Sequence, residues 1–157
     1  MSTLQTRNDA FEHGDLAALL CVDDPHLQSC VIDGLSQLGF AFHTALYPEE
    51  ISVRLRSRTY ELVMVSENFA GSELQANPAL HEVAQLALAQ RRDSFVILIG
   101  PSMESRSDMQ AFLHGVDLTL REDELPNLKA IVGRAIVRQE EFYSAFKGVM
   151  QAQRSGG

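Results

Sequence analysis

Two adjacent aspartates, Asp23 and Asp24, close the first strongly apolar run of the chain, Leu16-Ala-Ala-Leu-Leu-Cys-Val22. Neighbouring carboxylates are hard oxygen donors, suited to a divalent cation or to nucleophilic attack when one of them is activated. Three further apolar runs end on residues of interest: Tyr60 to Val65 before Ser66 and Glu67, Phe95 to Ile99 before Gly100, and Val116 to Leu120 shortly before Glu122. Asp24 precedes Pro25 and reads as a helix cap with Asp23 its solvated neighbour, although the pair, with Glu122, is a weak candidate for a cation. Ser66 lacks the Gly-x-Ser-x-Gly elbow of a hydrolase nucleophile, so it reads as a solvated loop serine; His26 is the nearest candidate base. The loop Asp23-Asp-Pro-His26 has neither the glycines nor the hydroxyls that cradle a nucleotide or flavin phosphate, and no cofactor is expected.

The other chemically capable residues are background. His13, His26, His43, His81 and His114 scatter over different segments without metal-ligand spacing. Cys21 and Cys30 lie in apolar stretches and read as small buried residues, since two thiols make neither a zinc site nor a disulfide framework. The trio Arg54, Arg56 and Arg58 and the pair Arg91-Arg92 read as solvated helix faces, or alternatively as surfaces for an acidic partner.

The segments that carry these residues alternate in period. Continuous apolar runs suited to strands buried on both faces lie at 16–22, 40–46, 60–65, 95–99 and 116–120. Helical spacing follows each of them: Leu27, Cys30, Val31, Leu35 and Leu38; then 48–57 with Ile51 and Leu55 inward; then 78–91 with Leu80, Val83, Ala84, Ala87 and Leu88 on one face; then 108–114; then a long helix from about Leu125 to Ala152. Parallel strands need helical crossovers, so this order predicts an α/β fold with a doubly wound five-stranded parallel sheet. Residues 1–15 read as a polar leader or linker, 16–152 as the domain and 153–157 as a flexible tail.

With 157 residues and a formal charge of −8, the chain has the size of one domain and a surface that repels phosphate backbones and anionic membranes. No nucleic-acid or membrane partner is expected; a protein is. No apolar run approaches the roughly 20 residues that span a bilayer, and Met1 to Asp15 lacks a signal-peptide pattern, so a cytoplasmic location is expected.

Element order and strand ends together resemble the receiver domains of bacterial two-component response regulators, over residues 16–138. The likeness is carried by Leu20-Cys-Val-Asp-Asp24, by Tyr60-Glu-Leu-Val-Met-Val65 followed by Gly71, and by Gly115-Val-Asp117. It implies a flavodoxin-like (βα)5 fold. In that family an acidic pair holds Mg²⁺, an aspartate ending the third strand accepts a phosphoryl group, and a hydroxyl residue and a lysine follow the fourth and fifth strands. Carried onto this chain, Asp23 and Asp24 match the pair. Ser66 stands at the acceptor, Gly100 at the hydroxyl residue, Glu122 (give or take one residue) at the lysine, and Thr119 at the aromatic that couples site to output face. A one-residue shift would bring Glu67 to the acceptor position, but it would turn the buried pattern of the strand inside out. A serine without a base accepts phosphate poorly, and glutamate for lysine adds charge of the wrong sign. The resemblance therefore implies a degenerate receiver, a pseudo-receiver, without catalytic residues or a tight metal site.

The last helix is longer than the resemblance requires. Leu128, Val132, Ala135, Gln139, Phe142, Phe146 and Val149 form a heptad-like seam, with Ile131 and Ile136 widening its first half. Beyond Arg138, Phe142, Tyr143, Phe146 and Val149 must either fold back onto the domain or build a dimer or docking face. The expectation is a non-enzymatic signal-transduction module acting by protein–protein interaction. Its partner would be another protein, a neighbouring domain of a larger regulator, or a second copy bound through this helix. The alternative is an atypical phosphoryl acceptor or small enzyme using Asp23, Asp24 and Ser66.

Overall fold

The computed structural model describes residues 16–135 and 137. Its elements run β1 (Ala17–Cys21), α1 (Pro25–Ser36), β2 (Ala41–Thr44), α2 (Pro48–Ser57), β3 (Leu62–Ser66), two 3-10 turns (Phe69–Gly71 and Leu74–Ala76), α3 (Pro78–Ala84), α4 (Leu88–Asp93), β4 (Phe95–Gly100), α5 (Asp108–His114), β5 (Leu118–Arg121), a 3-10 stretch (Glu122–Asn127) and α6 (128–135). The strands form one all-parallel sheet in the order β2-β1-β3-β4-β5.

Every residue of β1 and β3 is buried, which is why these segments are apolar without alternation. Leu19, Val63, Val65 and Leu98 project to one face, under α2, α3 and α5. Leu20, Met64, Ile97 and Leu120 project to the other, where Val31 and Leu35 of α1 and Leu128 and Val132 of α6 cover them. Asp24 caps α1 as its position before Pro25 predicts, its Oδ1 accepting the Leu27 N–H at 2.9 Å.

Three expectations need correction. The single helix over 78–91 is two short ones broken at 85–87. In one straight helix Leu86 would stand about 240° around the axis from Leu80. The break turns both leucines onto the same core cluster and leaves Leu88 exposed instead of inward. The last helix starts at 128 rather than 125, because Pro126, which has no N–H to give, sits in a tighter 3-10 stretch. Cys30 is half-buried, its Sγ 4.0 Å from His26 Nε2, while Cys21 is fully buried and desolvation pushes its thiol up to about 12.

Arg91 also departs from a solvated role. It pairs with Asp117 at 2.9 Å and donates to the Ser94 and Gly115 carbonyls, fastening α4 to the turn before β5. No helix among the described residues is long and apolar enough to cross a membrane. The segment carrying Phe142, Tyr143, Phe146 and Val149, the leader 1–15 and the tail 153–157 lie outside the described residues.

Candidate functional site

The strand order reverses direction between β1 and β3, and the carboxyl ends of these two strands open the crevice in which doubly wound sheets place their sites. Here that edge holds an open cleft of about 860 Å³, whose lining includes Asp23, Asp24, Ser66, Glu67, Arg121 and Glu122. Five of the six strand-end residues singled out from the sequence, Asp23, Asp24, Ser66, Glu67 and Glu122, thus face one space. Gly100 lies beneath it, against Glu67.

The acidic pair diverges. Asp24 Oδ1 is engaged in the α1 cap, while Asp23, half-buried rather than solvated, reaches across 47 residues to accept the Ala70 N–H at 2.9 Å with Oδ2. That bond holds Ala70 in a left-handed conformation at φ 60°, unusual for a residue with a Cβ. Among the described residues no three of His, Cys, Asp and Glu come together as a metal ligand set.

The end of β3 also differs from the expected solvated serine. Ser66 is 6% exposed, and its hydroxyl makes no hydrogen bond among the described residues although it lines the cleft. Glu67 is equally buried. Its N–H donates to the Ile99 carbonyl at 2.9 Å, carrying the ladder one residue past the strand without shifting register. Its carboxylate then folds back over Gly100, where Oε1 accepts the Ser102 N–H at 2.7 Å. A Cβ at position 100 would collide with the Oε1, Cδ and Cγ of Glu67. The glycine and the buried glutamate are therefore complementary halves of one contact, and the glutamate takes the space in which a hydroxyl side chain would stand.

Asn77, 3% exposed, locks this corner. Its Nδ2 donates to the Ser66 and Glu67 carbonyls, and its Oδ1 accepts from Ala79 and Leu80 N–H to cap α3. The dipeptide Asn77-Pro78 carries a cap-and-first-turn signal that could have identified it. On the far rim, β5 ends at Arg121, opposite Gly100 in register. The cleft thus holds a cation immediately before Glu122, within one residue of the position carried over for the lysine. Arg121 Nε donates to Asp123 Oδ1 at 2.8 Å. That hydrogen bond raises the Arg121 value and holds the Asp123 carboxyl below its ordinary range. Both side chains are solvent-exposed, so the pair is worth little to stability.

Thr119 is fully buried. Its hydroxyl donates to the Glu104 carbonyl at 2.7 Å and accepts the Ser107 N–H at 3.1 Å, pinning the β4–α5 loop to β5. Both bonds hold the side chain in one rotamer.

No known family model and no curated protein matches the chain. Solved structures do. NtrX from Brucella abortus, crystallised with ADP, is 16% identical with a TM-score of 0.62 over 83% of this chain, which spans 28% of the length of that protein. HP1043, an orphan response regulator of H. pylori, is 23% identical with a TM-score of 0.58, covering 82% of this chain and 99% of that one. The signal receiver domain of an HD-domain-containing protein from Pseudomonas fluorescens is 16% identical with a TM-score of 0.62, covering 86% and 96%. At these identities the likeness establishes the fold: a flavodoxin-like, receiver-type five-stranded parallel α/β domain.

Proposed function

We propose that the chain is a receiver-like signal-transduction module that works by protein contact and takes no phosphoryl group, a degenerate receiver within a larger regulatory assembly. The observation that carries this reading is the Glu67 carboxylate, lodged over Gly100 and bonded to the Ser102 N–H. An incoming phosphoryl group at Ser66 would meet this fixed negative charge and find that backbone donor already taken. Among the described residues no base is hydrogen-bonded to Ser66 that would raise its nucleophilicity. Arg121, the cation on the rim, is engaged by Asp123.

Contact as the mode of action is supported by α5. Met109, Phe112 and Leu113 recur at i, i+3 and i+4 and are 81%, 90% and 73% exposed, an apolar stripe that a free surface rarely keeps. Incubating the full chain with acetyl phosphate and Mg²⁺ and recording intact mass tests the proposal. An unchanged mass is expected; a stoichiometric phosphoryl adduct refutes the inert-site reading and favours the phosphoryl-accepting alternative.

A further inference from the structure

We infer that the cleft at the carboxyl edge of the sheet is a receptor for a guanidinium group, presented as an arginine side chain by a protein partner. This inference rests on the reading above that the cleft is not phosphorylated. Among the described residues five carboxylates line it, those of Asp23, Asp24, Glu67, Glu122 and Asp123, against the guanidinium of Arg121 and the imidazole of His26. Charge alone does not make a site; Ser66 adds the second observation. The residue is more than nine-tenths buried and lines the cleft, and its hydroxyl has no hydrogen-bond partner among the described residues. A buried polar group without a partner costs free energy that a ligand donating to it would recover.

The shape and the donors select the cation. The carboxylates are spread around a space of about 860 Å³ instead of converging on a point. Asp23, Asp24 and Glu67 each accept a backbone N–H with one oxygen, from Ala70, Leu27 and Ser102, and among the described residues the other oxygen has no hydrogen-bond donor. A small divalent ion needs several oxygens close together. A guanidinium carries five N–H donors on a broad plane, is weakly hydrated, and can bond to separated walls at once. The stem of an arginine side chain also suits an open cleft with Leu27 and Leu125 in its lining. Free arginine fits less well, because its own carboxylate would meet acidic walls.

The test uses the full chain labelled with ¹⁵N and titrated with Nα-acetyl-arginine amide, read by amide chemical shifts. The expected result is a saturable shift centred on Ser66, Glu67, Ala70 and Ser102. The uncharged isostere Nα-acetyl-citrulline amide should leave those amides in place, and free arginine should bind more weakly than the blocked form. Asp24→Asn, which keeps the cap, combined with Glu122→Gln should weaken binding roughly tenfold. Ser66→Ala should weaken binding without loss of stability, which a merely structural serine would not do.

Absence of saturation, equal shifts with the citrulline compound, or shifts centred elsewhere would overturn the proposal. Mg²⁺ moving the same amides at lower concentration than the arginine compound would also overturn it, in favour of a metal site. The phosphorylation reading fails separately: a mass adduct with arginine binding intact refutes only that reading, and no adduct with no arginine binding refutes only this one.

Discussion

Replacing Gly100 by alanine adds a single methyl group at a position where the backbone accepts any residue, yet that methyl would occupy the space of the Glu67 carboxylate. Glu67 must then leave its buried position and release the Ser102 N–H. A hydrogen bond to a charged group contributes about 1.5–3 kcal/mol. Rehydration of the released carboxylate returns part of this, and the lower chain entropy of alanine in the unfolded state returns about 0.4–1 kcal/mol. Gly100→Ala should therefore destabilise the fold by about 1–2 kcal/mol. In a Glu67→Ala background the same change has nothing to displace and should be neutral or stabilising, giving a coupling of about 1–3 kcal/mol between the two sites. Urea unfolding followed by far-ultraviolet circular dichroism measures all four proteins, the chain having no tryptophan. Equal effects of Gly100→Ala in both backgrounds, or no effect in the parent chain, would refute the account of Glu67 as the occupant of this corner.

Other perturbations test the surrounding structure. Asn77→Ala removes a buried amide that caps α3 and holds two carbonyls at the end of β3, and should cost about 2–3 kcal/mol in the same unfolding assay. Thr119→Val keeps the shape but strands the Ser107 N–H and the Glu104 carbonyl, and should cost about 1–2 kcal/mol, with faster hydrogen exchange in the 101–107 loop as the specific sign. Because burial lifts the Cys21 thiol to about 12, Cys21 stays protonated and inaccessible at pH 8, so a thiol reagent should modify only Cys30 until denaturant is added. The stripe Phe142, Tyr143, Phe146 and Val149, read from the sequence alone, predicts a dimer by light scattering that Phe142→Ala plus Phe146→Ala converts to monomer; a monomer unchanged by the pair removes that reading.

What the sequence determined by itself was the alternation of continuous apolar runs with helical spacing, hence a parallel sheet covered on both sides, and local devices such as the Asp24-Pro25 cap. These are interactions within a few residues, or demands that burial makes on every position of a strand, so composition and period record them. The tertiary structure alone decided what fills the strand ends. Glu67 bonds to Ser102 over Gly100 only because β3 and β4 lie side by side in one register. Asp23 holds Ala70 across a separation of 47 residues, and the place of Arg121 follows from where β5 stops rather than from the residue types around it. Leu86 breaks a helix whose period looked continuous because the core beneath it rewards a turn. Pairings of this kind depend on which segments become neighbours, and a one-dimensional pattern holds no record of that.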